Sequence, residues 1–421
     1  MRLFDLRFKR LRDRSGLIIG AALFVAALSG LIVSSTFSRP MRVLIICLLA
    51  AGLGLGAFLF VPAAPRIAKA LQQLAVLQPP SGLSGPSPVA AFDVALPSPT
   101  GQSAPITARI WHPSETTSLS PSGPPLSCAL ATSTHILPRA QEPFDILLYA
   151  PGNASRRNDN ASTATTLASH GYVVIAIDDI EIDPKSAVEP LVYDYSSDAA
   201  YEKTRRSGDR KVLLEAEKAL AALDRLQACA SIDWRNKLDF SRVGFFGFSF
   251  GGAVAAEAGV IDKRIVAVAN LDGALFGHAG LGALDKPYMI MNSDAPIPSM
   301  RQLQASDPSE RNSATAAIND LREEIRLANR PDGYWLWVKG STHVGYADNI
   351  FDRRHSANWV TLDPIRMKEI RDTYLLAFFD EHLRKTPRPL LRQAPSPYGE
   401  VELLADSAPR LRELSAAPTP K

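Results

Sequence analysis

The stretch Gly244–Gly252, GFFGFSFGG, constrains the fold of this chain more than any other. The apolar run Val243–Phe246 predicts a buried strand, and the small residues from Gly252 onward predict a helix packed closely on a sheet. So short a junction places Ser249 in a sharp turn, which glycines on both sides permit by removing Cβ clashes. Ser249 would stand at a helix N-terminus, where free N–H groups stabilise negative charge. The pattern predicts a nucleophilic serine; the alternative is a glycine-rich turn with an incidental serine.

Apolar runs alternate with helical segments through the rest of the chain. The runs are apolar on both faces, as buried parallel strands are: Ile146–Tyr149, Tyr172–Ile177, Val243–Phe246, Ile265–Ala269, Tyr288–Met291 and Tyr334–Val338. The predicted helices are Thr163–Ser169, Arg210–Gln227, Gly252–Val260 and Pro364–Leu383. This alternation predicts an α/β fold with a mainly parallel sheet covered on both faces. Ligands of such sheets bind at the C-terminal strand ends, where Ser249 falls.

Two uncharged apolar segments, Leu17–Phe37 and Val43–Val61, precede this domain. At about 1.5 Å per residue, each can cross a hydrocarbon core of roughly 30 Å. We therefore predict a basic segment over residues 1–16 and a two-helix transmembrane hairpin over 17–63. A signal peptide followed by one span is the alternative.

The cations around these segments favour a cytoplasmic location for both ends, and so for the large domain. They are Arg2, Arg7, Lys9, Arg10, Arg12 and Arg14 before the hairpin, Arg39 and Arg42 within it, and Arg66 and Lys69 after it.

A linker is predicted over 64–88, a catalytic domain over 89–385 and a loosely held Pro-rich tail over 386–421. Spacing leaves open whether Cys128 and Cys229 are thiols or a disulfide.

Composition excludes some classes of protein. Of the 421 residues, 46% are hydrophobic and 21% charged, which is enough to build a core. The net charge of +3 is small and dispersed, so a nucleic-acid partner is not expected.

A serine needs a base to accept its proton and an acid to orient that base. In the order serine, acid, histidine, the base must follow Ser249, and His343 lies in a loop directly after the last predicted strand. The remaining histidines in that region are His278, His355 and His382. Two acids follow neighbouring strands, Asp272 and Asp294, and the pattern alone leaves both open.

A resemblance favours one of these acids. The segments GFSFGG, NLDGALF and GSTHVGYADNIF, together with LASHGYVVIAID, resemble the plasma-type platelet-activating factor acetylhydrolases, a family of α/β hydrolases. The likeness extends over roughly residues 92–383 and is most specific from 241 to 351. It implies Ser249 as nucleophile, Asp272 as acid, with Asp294 the alternative, and His343 as base.

The same resemblance implies an oxyanion hole built from the backbone N–H groups of Phe250 and Asn153. Two residues depart from the family pattern: Phe248 and Pro151 each replace a histidine. Neither histidine is required by the chemistry, so catalysis should survive with a differently shaped cleft.

Two runs of charged residues are explained more simply by solvation than by a bound ligand. The acidic run Asp178–Asp183 is interpreted as solvated loop rather than a metal site, and Arg205, Arg206, Arg210 and Lys211 as a solvated helix start rather than a phosphate site. Residues 180–208 and 295–330 are predicted to lie over the catalytic edge as a lid.

The expected protein is a membrane-anchored serine esterase that works through an acyl-enzyme and needs no metal or organic cofactor. The resemblance implies phospholipids with short or oxidised sn-2 chains as substrates. The alternatives are a general short-chain carboxylesterase, a polyester or dienelactone-type hydrolase, and a hydrolase-like scaffold that binds without turnover.

Overall fold

The computed structural model describes residues 85–97, 104–119, 124–135, 137–138, 140–182, 188–351 and 362–403. The predicted basic segment, the transmembrane hairpin and most of the linker lie outside these ranges, as does His355. Within them, no helix combines the length and apolar character that crossing a bilayer requires.

The strands are β1 (Val89–Leu96), β2 (Ile106–Pro113), β3 (Leu126–Ser127), β4 (Phe144–Ala150), β5 (Val173–Ile177), β6 (Leu238–Phe248), β7 (Ile265–Leu271), β8 (Tyr288–Asn292), β9 (Gly333–Val338) and β10 (Val401–Leu403). The helices are α1 (Cys128–Thr134), α2 (Ala161–Ser169), α3 (Asp198–Cys229), α4 (Ile232–Lys237), α5 (Phe250–Ile261), α6 (Gly277–Gly280), α7 (Met300–Leu303), α8 (Pro308–Ala328) and α9 (Pro364–His382). Each strand and helix expected from the apolar pattern has a counterpart here.

The described strands form one sheet in the order β10-β9-β8-β7-β6-β4-β5-β2-β1-β3. Neighbours from β5 through β4, β6, β7 and β8 to β9 pair in parallel. Strand β2 pairs antiparallel with β5 and β1, and β10 pairs antiparallel with β9. The centre of the sheet is therefore parallel, and its C-terminal edge gathers the loops that follow β4, β6, β7, β8 and β9.

Helices cover both faces because side chains alternate along each central strand. In β4, Ile146 and Leu148 enter the core shared with α3 and α5. Leu147 and Tyr149 enter the opposite core with α2 and α9. Central strands buried on both faces explain the continuous apolar runs in the sequence.

Residues 389–403, predicted as part of a loose tail, pack against the sheet. Val401 and Leu403 are buried, and β10 pairs with β9. The carboxylate of Glu400 accepts hydrogen bonds from Arg366 at 2.9 and 3.1 Å. Proline content suggested a loosely held tail, but the side chains of Val401 and Leu403 are part of the core.

The two cysteines left open by the sequence are paired. Cys128 at the start of α1 and Cys229 at the end of α3 form a disulfide with their Cα atoms 5.8 Å apart. The link joins positions separated by 101 residues and encloses β4 and β5 in its loop.

Candidate active site

The turn between β6 and α5 holds Ser249 in a strained backbone conformation, with φ 55° and ψ −126°. A Cβ on Gly247 would lie 2.0 Å from the carbonyl oxygen of Gly251, and one on Gly251 would lie 2.1 Å from that of Ala150. Only glycine fits at either position, because the chain returns so closely on itself. The turn predicted from the sequence is therefore present, and it holds Ser249 at the N-terminus of α5.

Three predicted residues from three different loops form one hydrogen-bond chain. The Nε2 atom of His343 lies 3.0 Å from Ser249 Oγ, and its Nδ1 atom lies 2.7 Å from Asp272 Oδ2. With Nδ1–H donating to Asp272, Nε2 can accept the serine proton. The His343 side chain is 50% exposed and that of Asp272 only 11%, so the base is open to substrate while the acid is shielded.

The local backbone presents Asp272 to the histidine. Asp272 has φ 59°, an uncommon conformation for a non-glycine residue. The buried side chain of Asn270 holds this turn by accepting from Gly273 N at 2.9 Å and donating to Gly273 O at 2.8 Å. The other carboxylate oxygen of Asp272 accepts from Ser293 N at 2.6 Å. Sequence reasoning missed Asn270, although it stands in the NLDG segment.

Asp294, the alternative acid, is bound elsewhere. Its Oδ1 atom accepts from Trp337 Nε1 at 2.9 Å and its Oδ2 atom from Gly340 N at 2.8 Å. These bonds hold the start of the loop that carries His343. The structure thus pairs His343 with Asp272 and gives Asp294 contacts with the supporting loop.

The other two described histidines that follow Ser249 in the chain lie in separate contacts. His278 Nδ1 is 2.5 Å from Glu257, which raises the histidine pKa, and His382 Nε2 is 3.0 Å from the Tyr334 hydroxyl. Neither is joined to Ser249 by these bonds.

The two predicted oxyanion donors belong to segments next to the serine: Phe250 directly follows it, and a Cβ on Gly152, the residue before Asn153, would lie 3.5 Å from Ser249 Cβ. In the described part of the chain, neither the Asn153 nor the Phe250 backbone N–H donates to a protein acceptor. The Asn153 side chain is anchored, because Nδ2 donates to Leu191 O at 3.2 Å and Oδ1 accepts from Lys211.

A partly buried carboxyl supports the same loop. Asp159 accepts from the Tyr149 hydroxyl at 2.5 Å, from Ser155 Oγ at 2.8 Å and, more weakly, from Gly152 N at 3.4 Å. Desolvation raises the pKa of Asp159 to about 6, although these three hydrogen bonds act to lower it. The loop that carries Asn153 is therefore held in part by Asp159, whose pKa of about 6 lies in the mildly acidic range.

The interpretation as solvated was wrong for Lys211 and Asp179, whereas Arg206 and Arg210 are exposed as expected. Lys211 is buried on the sheet-facing side of α3, and Asp179 from the acidic run is buried beside it. Their charged atoms lie 2.8 Å apart. The charges of this segment suggested solvent exposure, but Lys211 lies on the face of α3 that also carries Gly208, Val212 and Glu215, all buried. Over the described residues, no three His, Cys, Asp or Glu side chains gather as a metal site would require.

The sheet order and the turn carrying Ser249 define an α/β-hydrolase fold. A ferulic acid esterase from Streptomyces cinnamoneus shares this fold, with a TM-score of 0.53 and 23% identity, over 76% of this chain and 97% of that one. No family model matches the chain.

Among curated proteins, the chain is similar to a probable 1-alkyl-2-acetylglycerophosphocholine esterase of Arthroderma benhamiae. The two are 31% identical over 152 residues, or 34% of this chain and 35% of the relative. The chain thus aligns with about a third of that relative's length. The resemblance to acetylhydrolases of platelet-activating factor is confirmed by this relative.

Proposed function

We propose that this protein hydrolyses carboxylic esters through an acyl-enzyme on Ser249. The observation that carries the proposal is the hydrogen-bond chain Ser249–His343–Asp272 at the C-terminal edge of the sheet. The names of the relative and of the structural neighbour, both esterases, favour the same reaction.

The geometry suggests a role for each group. Ser249 Oγ attacks the ester carbonyl while His343 Nε2 takes its proton, and Asp272 holds the resulting imidazolium. The N–H groups of Phe250 and Asn153 stabilise the oxyanion. The alkoxide leaves with the proton from His343. Water, deprotonated by His343, then attacks the acyl carbonyl, releasing the acid and restoring Ser249.

The substrate we propose is a phospholipid with a short or oxidised sn-2 acyl chain. This rests on the motif resemblance and on the name of the curated relative. Attachment to a bilayer through residues 17–37 and 43–61 would keep the enzyme beside such a lipid.

The proposed orientation, with both ends cytoplasmic, rests on the flanking cations. The pairing of Cys128 with Cys229 favours the opposite side, because disulfides persist in oxidising compartments. Protease protection of the C-terminal domain in sealed vesicles decides between the two orientations.

The test of the reaction is hydrolysis of p-nitrophenyl esters, from acetate to palmitate, by the full chain in detergent. Ser249→Ala should lower kcat by about 10⁴-fold or more, whereas Ser241→Ala, at an exposed serine of β6, should not. A fluorophosphonate probe should label the wild type and not Ser249→Ala.

The chain-length profile separates the remaining alternatives. Turnover confined to short chains is expected both for the phospholipid substrate and for a general short-chain carboxylesterase, and hydrolysis of phospholipids with an sn-2 acetyl group then separates the two. Efficient turnover of palmitate would contradict the short-chain substrate. Absence of both turnover and labelling in a folded protein would favour a binding scaffold.

A further inference from the structure

Lys211 lies buried beneath the loop that carries one proposed oxyanion donor. Its Nζ atom donates to Asn153 Oδ1, to Asp179 Oδ2 at 2.8 Å and to Glu181 Oε1 at 2.7 Å. An ammonium group has three donors, and here all three are used. The side chain is 2% exposed, so this geometry is fixed by packing.

The same ammonium also contacts the second proposed donor residue. Lys211 Nζ stands 4.7 Å from the ring centroid of Phe250, a cation–π distance. One side chain of α3 therefore contacts both residues whose backbone N–H groups are the proposed oxyanion donors. Lys211 and Asn153 are 58 residues apart in the chain, so this contact depends on tertiary folding.

The loop beyond Asn153 needs such support. Ala154 has φ 52°, a left-handed conformation that costs free energy in a residue with a side chain. Its N–H donates to Asp179 Oδ2 at 3.1 Å, the carboxylate oxygen that also accepts from Lys211. Lys211 and Asp179 thus hold two successive residues of the loop.

We propose that Lys211 is a positioning residue that sets the direction of the oxyanion-hole N–H groups of Asn153 and Phe250. The inference rests on the proposed ester hydrolysis. Charge alone does not explain the arrangement, because two carboxylates, Asp179 and Glu181, oppose the single ammonium. Lys211 acts through its neighbours and does not touch the substrate.

The first test compares Lys211→Met with Lys218→Met in the full chain. Lys218 lies on the same helix and donates to Asp178 O at 2.6 Å, away from Asn153. Lys211→Met should lower kcat by about 10- to 100-fold with KM changed less than about threefold, because oxyanion stabilisation acts on the transition state. Affinity for a trifluoromethyl ketone, which forms an oxyanion on Ser249, should fall by a similar factor. Lys218→Met should leave both unchanged.

The second test separates positioning from a general structural role. Asn153→Ala retains the backbone N–H but removes the amide that Lys211 holds. Because Lys211 is proposed to act on Phe250 as well as on Asn153, the double variant should lose little more kcat than Lys211→Met alone, whereas independent effects would multiply. A multiplicative loss, or an unchanged kcat in Lys211→Met, overturns the inference.

The outcomes also separate this inference from the proposed function. Should Lys211→Met fail to fold, Asn153→Ala alone must lower kcat and ketone affinity together, and no change in them overturns the inference. If Ser249→Ala retains activity, the proposed function itself is contradicted. Activity lost in Ser249→Ala but retained in Lys211→Met removes only the role of Lys211.

Discussion

The ring of Phe248 lies against the imidazole of His343, with the two ring centroids 4.9 Å apart. The same ring also lies close to the loop after β4, where a Cβ on Gly152 would lie 3.2 Å from it. Phe248 is thus close to both the proposed base and the proposed oxyanion loop. It occupies the position where the resembled family has a histidine.

Phe248→Ala should lower kcat about 10-fold, because the imidazole loses a packing surface that restricts its orientation. Phe248→His, which restores an aromatic ring and the residue of the resembled family, should retain most of the wild-type rate. Steady-state hydrolysis of p-nitrophenyl acetate measures both. Equal kcat values for Phe248→Ala and wild type would contradict a packing role for Phe248.

Asp272→Asn should lower kcat by about 10⁴-fold, because an amide no longer holds His343 in the required tautomer. Asp294→Asn is the matched control. Its neighbours Trp337 and Gly340 lose charge-assisted bonds, so a loss of about 10-fold or less is expected. The reverse ranking of these variants in kcat would assign the acid to Asp294.

Asn270→Ala should destabilise the fold by about 2–4 kcal/mol, because it leaves the buried Gly273 N–H, Gly273 C=O and Tyr288 hydroxyl without this partner. Urea unfolding followed by tryptophan fluorescence measures the change. Asn329→Ala, at an exposed position after α8, should change stability by less than about 0.5 kcal/mol. Equal midpoints for the two variants would mean that the Asp272 turn does not depend on Asn270.

Loss of the Cys128–Cys229 disulfide should cost about 4–5 kcal/mol, since the bond closes a loop of about 100 residues in the unfolded chain. The double variant Cys128→Ser/Cys229→Ser tests this without leaving an unpaired partner thiol. Its urea midpoint should fall and become insensitive to reductant. Cys47→Ser should behave as wild type, and a wild-type midpoint unaffected by reductant would argue against the bond.

Glu215 should make the free energy of unfolding depend on pH, and the direction of that dependence follows from its pKa. Burial, and after it the charge of Asp179, raises the pKa of Glu215 from 4.5 to about 8. From pH 4.5 to about 8 the folded state keeps a proton that the unfolded state releases, so the contribution of Glu215 to stability falls as pH rises. Glu215→Gln should therefore stabilise the protein relative to wild type by an amount that grows over this range and then stays constant. Glu217→Gln, exposed on the same helix, should show no such trend in urea unfolding at each pH.

The sequence predicted the centre of the sheet because strands buried on both faces carry continuous apolar runs. It did not predict β1 and β2, whose polar residues Asp93, Arg109 and His112 interrupt the pattern. The structure shows Arg109 and His112 to be buried, with Arg109 near Asp93 at 3.6 Å. The pattern of residues along a single strand does not reveal such pairing between strands.

For the site, the short glycine-rich turn and the loop after the last strand were enough to single out Ser249 and His343. The choice between Asp272 and Asp294 needed the resemblance, because both follow parallel strands. The structure distinguishes them by side-chain direction, which the left-handed backbone at Asp272 sets. Lys211 was expected to be solvated, and its burial could not be predicted because it results from the packing of α3 on the sheet.

The pairing of β10 with β9 has a consequence for how the sheet meets other chains. A sheet edge with free N–H and C=O groups is a template for intermolecular pairing. Here one edge is closed by β10, with only three residues, and the other by β3, with two. Lys339 N also donates to Glu400 O at 2.7 Å, just beyond the β10 pairing. The Pro-rich stretch after α9 thus carries a short strand that shields the C-terminal half of the apolar strand β9 from self-association.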